Sequence, residues 1–87
     1  MPGEKPLSFT NHARDAMAER KLEPDWVELT VRKPEWARPD PYRSGVERRF
    51  RAIPEFGGRI LRIACIETTA EIRILTVFFD RDARRPS

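Results

Sequence analysis

Glu71-Ile-Arg-Ile-Leu-Thr-Val-Phe-Phe-Asp80 carries six apolar residues, Ile72, Ile74, Leu75, Val77, Phe78 and Phe79, and no Gly or Pro to break a strand. Strict alternation would leave one face polar. Here both faces are apolar, which predicts a strand in the middle of a sheet. The stretches before it read as its neighbours. Arg59 to Glu67 is a second strand, and Thr68-Thr69-Ala70 turns it into the last one. Further back, Val46, Arg48, Phe50 and Ala52 alternate with Glu47, Arg49, Arg51 and Ile53, and Phe56-Gly57-Gly58 supplies a hairpin turn. Trp36 to Tyr42 contains Pro39 and Pro41, which confines it to a sheet edge or a loop leading into the sheet.

The N-terminal half follows the helical period instead. From Asn11 to about Lys21, Phe9, Ala13, Ala16, Met17 and Arg20 fall on one side, with Thr10 placed to cap the first turn. A second helix is expected from Pro24 to Arg32. Pro24 suits the first helical position, Asp25 and Glu28 complement the dipole, Leu22 staples onto Val27, and Pro34 closes the run. Leu7 to Phe9 either forms a short strand or tucks Phe9 under the first helix. The expected architecture is α+β, with two N-terminal helices packed on one face of a three- or four-stranded antiparallel sheet. A single domain spans 1–87, with an ordered core over about 7–80 and flexible ends at 1–6 and 82–87.

Composition narrows the function classes. A chain of 87 residues has room for one modest core and none for a separate cofactor domain. No apolar run approaches the roughly 20 residues of a membrane helix, and Met1 to Leu7 lacks a signal-peptide stretch, so a cytoplasmic protein with no membrane partner is expected. A lone Cys65 in an apolar run forms no internal disulfide, and with one His it falls short of a zinc set. There is no glycine-rich phosphate loop, and neither a metal nor a cofactor is expected. Charge is uneven: residues 1–42 hold seven Lys/Arg against eight Asp/Glu, whereas 43–87 hold ten against six. Fourteen of the seventeen basic residues are arginine, the side chain that grips phosphate bidentately.

Metal-free RNA cleavage needs a base for the 2′-hydroxyl, cations for the phosphorane and an acid for the leaving oxygen. His12, in the first turn of the first helix, is the candidate base or acid, since the positive end of the helix favours a neutral imidazole. Arg49 and Arg51, two apart on one strand and so on one face, are the candidate phosphate clamp, with Arg62 or Arg73 as a further cation. Tyr42 and Trp36 are candidate base platforms. If Phe50 points to the helices, Glu47, Arg49 and Arg51 point away from them; a one-residue shift reverses this. Structural roles compete throughout: His12 as a helix-end residue, Arg20 as a helix-to-sheet tie, Arg48, Arg49 and Arg51 in ion pairs with Glu47, Glu67 or Glu71, and Trp36 in rim packing.

The pattern His12-Ala13-x3-Met17-x2-Arg20, followed by Leu22, a helix ending before Pro34, an arginine-bearing strand and Arg73-Ile-Leu-Thr-Val-Phe-Phe-Asp80-Arg81, resembles a small bacterial domain-of-unknown-function family. That family is distantly similar to the RelE and BrnT toxins. The resemblance covers nearly the whole chain and implies a RelE-like or BrnT-like fold, metal-independent endoribonuclease activity and an antitoxin partner. Three readings stand: an RNA-cleaving toxin; a non-catalytic RNA- or protein-binding module using the basic sheet face; and an interaction protein whose edge near Trp36 to Tyr42 pairs with a second copy, giving a homodimer, or with an antitoxin segment.

Overall fold

The computed structural model describes residues 4–86; of the expected flexible ends, positions 1–3 and 87 lie outside the described residues. Strand β1 (Leu7–Phe9) leads directly into helix α1 (Asn11–Glu19), and helix α2 (Pro24–Arg32) follows. The chain then runs through β2 (Trp36–Pro39), β3 (Glu47–Ile53), a single 3-10 turn at Pro54–Phe56, β4 (Arg59–Glu67) and β5 (Ile72–Phe79). The sheet is five-stranded and mixed, in the order β1-β5-β4-β3-β2. This corrects the expected three or four antiparallel strands. Leu7–Phe9 pairs parallel to Ile72–Ile74, and three residues are too few to show a period of two. β5 is an interior strand, as its two apolar faces imply, and β2, with its proline, is an edge.

Local chemistry sets the helix ends. Thr10 is extended at the start of α1, and its hydroxyl accepts from the Ala13 N–H (3.1 Å) while donating to the Leu75 carbonyl (3.0 Å), which fastens the helix start to β5. α1 ends earlier than the periodicity suggests. Leu22 N–H donates to Met17 O (2.9 Å) and Lys21 N–H to Ala18 O (3.3 Å), the paired bonds of a Schellman turn. Lys21 holds the left-handed position, at φ 54°, that glycine fills at most such ends. α2 has the expected span, with Val27, Thr30 and Val31 buried, but Leu29 faces solvent. Thr30 satisfies its buried hydroxyl on Trp26 O at 2.7 Å.

Both helices pack on one face of the sheet. Ala13, Leu22, Val27 and Val31 meet Ile53 of β3, Leu61, Ile63 and Cys65 of β4, and Ile72, Ile74 and Val77 of β5. The register fixes what shares that face. Arg49 lies opposite Ile63 and Arg51 opposite Leu61, so both arginines point toward the helices. Phe50 points the other way, opposite Arg62 and Trp36. The condition that Phe50 faces the helices therefore fails, and the basic face built on it is corrected. The reason is the end of α2, whose last carbonyls need donors. Arg49 Nη1 donates to Val31 O (2.9 Å) and Arg51 Nη1 to Lys33 O (2.7 Å).

Candidate nucleic-acid interface

The face away from the helices carries two neighbouring cross-strand rows. Following the pairing from β2 to β5, the first is Trp36, Phe50, Arg62 and Phe78, and the second is Arg38, Arg48, Ala64 and Thr76. The first row is a continuous run of rings and guanidinium. Trp36 and Phe50 stack with centroids 4.9 Å apart and planes 5° from parallel, and the Arg62 guanidinium lies 4.2 Å from the Phe78 ring centroid. Trp36, Arg38, Arg48, Phe50 and Arg62 line a cleft of 290 Å³ whose remaining wall is Asp80, Asp82, Ala83 and Arg84.

The electrostatics of this cleft are those of crowded cations held in place by a few acids. Arg38 and Arg48 are direct cross-strand partners, an arrangement that repels. Arg48 is balanced by Asp40 (3.2 Å), and Arg62 by Asp80 (3.0 Å). Arg38 makes no ion pair with any described residue and is exposed. Burial, reinforced by the nearby Arg48 charge, pushes the Arg62 pKa down. Asp40 is the organiser. Its Oδ1 accepts from the backbone N–H groups of Tyr42 (2.8 Å) and Arg43 (3.0 Å), and its Oδ2 from the guanidinium groups of Arg43 and Arg48. The Tyr42 N–H, then the Arg43 side chain, outweigh burial and hold its carboxyl at about 2.

The residues singled out from the sequence divide among several places. Trp36 and Arg62 belong to the open face, and Tyr42, 86% exposed, stands on the Asp40 turn beside it. Arg73 shares that face but lies at the opposite end of β5, across from Ile66 and Ser8. Arg49 and Arg51 lie on the helix side. Arg49 is occupied by Glu47 (2.7 Å), Glu67 (2.7 Å) and Val31 O; burial opposes its charge, but the Glu67 and Glu47 bonds raise its pKa. His12 is exposed in a third place, a 410 Å³ groove between α1 and β5 lined by Asp15, Ala16, Glu19, Arg20, Thr76, Val77 and Phe78. The lining of the His12 groove thus includes none of Arg49, Arg51 and Arg62, and Thr76 and Phe78 connect that groove with the open face.

Four members of the interface, Arg38, Arg48, Phe50 and Phe78, were not among those candidates. A signal for the first three exists in the spacing. Trp36-x-Arg38 and Arg48-x-Phe50 are mirror images about the turn, so the one hairpin register that sets Trp36 beside Phe50 also sets Arg38 beside Arg48.

A family model described as Domain of unknown function (DUF4258) matches residues 9–79. The chain belongs to that family. No curated protein and no solved structure gives a match. The span shared with the DUF4258 family takes in both rows of the open face, the Asp40 turn and His12, and stops at the last residue of β5. Among the described residues no three His, Cys, Asp or Glu side chains converge as metal ligands. No helix among the described residues is long and apolar enough to cross a membrane.

Proposed function

We propose that this DUF4258 domain binds single-stranded nucleic acid on the open face of its sheet, with RNA, the ligand implied by the toxin resemblance, as its target. The observation that carries the reading is the juxtaposition of the two rows, a stacking row beside a cationic row. Bases of an unpaired strand stack on aromatic rings standing on a sheet, while arginines hold the backbone between them. Arg38 supplies a charge with no acidic partner among the described residues, and Arg48 and Arg62 supply guanidiniums already held in place by Asp40 and Asp80. Tyr42 extends the stacking surface at one end.

Binding fits this geometry better than cleavage. An in-line mechanism needs its base and its phosphate clamp around one scissile bond, within hydrogen-bond reach of the reacting atoms. His12 lies in the α1–β5 groove, whose lining includes none of the open-face arginines.

Fluorescence anisotropy of a labelled 12-nucleotide RNA over a salt series tests the reading. Trp36→Ala is expected to cost about 1–3 kcal/mol of binding, the worth of one stacked base. Arg38→Ala is expected to reduce the log–log salt slope by about 0.7, the value for one phosphate contact on a single strand. Binding that ignores salt and both substitutions would sink the proposal. The same RNA incubated in EDTA with wild type and His12→Ala decides about cleavage: a 2′,3′-cyclic phosphate product lost in the variant would restore the ribonuclease reading.

A further inference from the structure

We infer that the segment Arg81–Pro86 is a strap across the open face that competes with nucleic acid for it; this rests on the reading of that face as a single-strand binding site. The segment starts where β5 ends. Asp80 anchors its near end: the N–H donates to Ile60 O (2.9 Å), Oδ2 accepts from Arg62, and Oδ1 accepts from the Asp82 N–H (2.9 Å). The far end is pinned beside β2. One nitrogen of Arg85, Nη2, reaches both carboxylate oxygens of Glu35, each at 3.0 Å. Glu35 is itself held, because its Oε1 also accepts from the Ala52 N–H (2.8 Å).

The path between these anchors crosses the sheet. From β5 to β2 the order is β5-β4-β3-β2, three strand spacings or about 14 Å. Four residues lie between Asp80 and Arg85; an Ala83 N–H bond to Asp80 O (3.4 Å) folds the first of them into a turn, and the Arg85 side chain completes the span to Glu35. Held at both ends, the strap supplies Asp82, Ala83 and Arg84 as one wall of the cleft that Trp36 and Phe50 also line. Trp36 and Phe50 line the same cleft as the strap, so a base entering that cleft to reach the aromatic row meets Asp82, Ala83 and Arg84. The strap also places Asp82 and Arg84 in the lining of the cleft beside Arg38, Arg48 and Arg62, so a strand entering there must displace both.

The pin is suited to release. Arg85 is 61% exposed and its pair with Glu35 lies at the surface, where salt screens such contacts. A ligand that satisfies the arginines and the Trp36 ring can displace it, and its apparent affinity is lowered by the fraction of molecules in which the strap is closed.

Two substitutions that remove the same charge from the same segment test the strap. Arg85→Ala loses the pin, whereas Arg81→Ala loses only a cation. With the labelled 12-nucleotide RNA, Arg85→Ala is expected to bind about threefold tighter than wild type, against the charge trend, and Arg81→Ala to bind no tighter. Equal weakening by both would overturn the strap. Acrylamide quenching of Trp36 in a Trp26→Phe background reads the strap with no RNA present: Arg85→Ala should increase quenching, and the exchanged pair Glu35→Arg with Arg85→Glu should return it toward wild type. Unchanged quenching overturns the strap even if RNA binds. Increased quenching with no RNA binding by any variant leaves the strap over the face and overturns both the proposed ligand and the competition with it.

Discussion

Arg38 and Arg48 stand directly opposite each other across the β2–β3 pair, on the face that no helix covers. Like charges in that relation cost stability, and only Arg48 has an acidic partner among the described residues. On the proposed reading, that repulsion is relieved when a phosphate of the bound strand lies between the two arginines.

Stability and binding should therefore move in opposite directions at position 38. Arg38→Glu turns the repelling pair into an attracting one and is expected to raise unfolding stability by about 0.5–1 kcal/mol. The same substitution should abolish RNA binding at moderate salt. Urea denaturation and anisotropy on one preparation check both halves, and a destabilised variant that still binds would contradict the account.

Arg49 should behave in the opposite way. It is mostly buried and joins β3 to Glu47, Glu67 and the last turn of α2. Arg49→Ala is expected to cost about 1–3 kcal/mol of stability, since it strips the Val31 carbonyl of its donor, leaves Glu47 without its partner and leaves Glu67 to Lys5 alone. RNA affinity measured under native conditions should stay within about twofold of wild type, an effect below 0.5 kcal/mol. Chemical denaturation monitored by Trp26 fluorescence gives the first number.

The end of α1 offers a gain. Lys21 occupies a left-handed backbone position, and a Cβ there is strained. Lys21→Gly relieves the strain and is expected to stabilise the protein by up to about 1 kcal/mol, despite the greater freedom of glycine in the unfolded chain. Lys21→Val, branched at the same position, should destabilise it. Thermal midpoints of the three proteins, compared at one pH, decide.

Acid should loosen two separate places. Hydrogen bonds from the Tyr42 N–H and Arg43 hold Asp40 at about 2, against 3.8 for a free aspartate. Lys5 and Arg49 hold Glu67 at about 2, against 4.5. Each carboxyl thus binds a proton more readily unfolded than folded. Their contributions are complete above the unfolded values and are lost as the pH falls from about 4.5 toward about 2. Urea midpoints across that range should decline, and less steeply in Asp40→Asn. A flat profile would show that neither group is linked to folding.

Much of the fold could be read from residue patterns, and the parts that could not have physical reasons. α2 declares both ends, with Pro24 at its start and Pro34 beyond its last turn, and β4 and β5 announce themselves by apolar content. β1 could not be read with certainty because three residues carry no period, and its parallel pairing to β5 depends on the chain turning back through α1. The facing of β3 was undecidable from its own residues. Ile53 argues for one parity and Phe50 for the other, and arginines occupy both. Two features resolve it: α2 ends above β3 with carbonyls in need of donors, and Trp36 lies across the sheet edge in need of a flat partner. For the site, Trp36 and Arg62 were readable as types of residue suited to RNA, but their grouping with Arg38, Arg48 and Phe50 depends on that same parity. His12 was conspicuous for its rarity and its helix position, neither of which places it near a phosphate clamp.

Cys65 lies in the core with no exposed surface, and burial pushes its thiol up to about 11. Its one sulfur is thus withheld from alkylating and oxidising reagents at neutral pH, because the reactive thiolate is scarce and covered. The native molecule is in effect cysteine-free to a maleimide. A single new cysteine at Ser44, on the Asp40 turn, or at Thr69, at the far turn, can be labelled cleanly without first replacing the natural one. Motions of the sheet surface can then be followed by dyes or spin labels on an otherwise unaltered core.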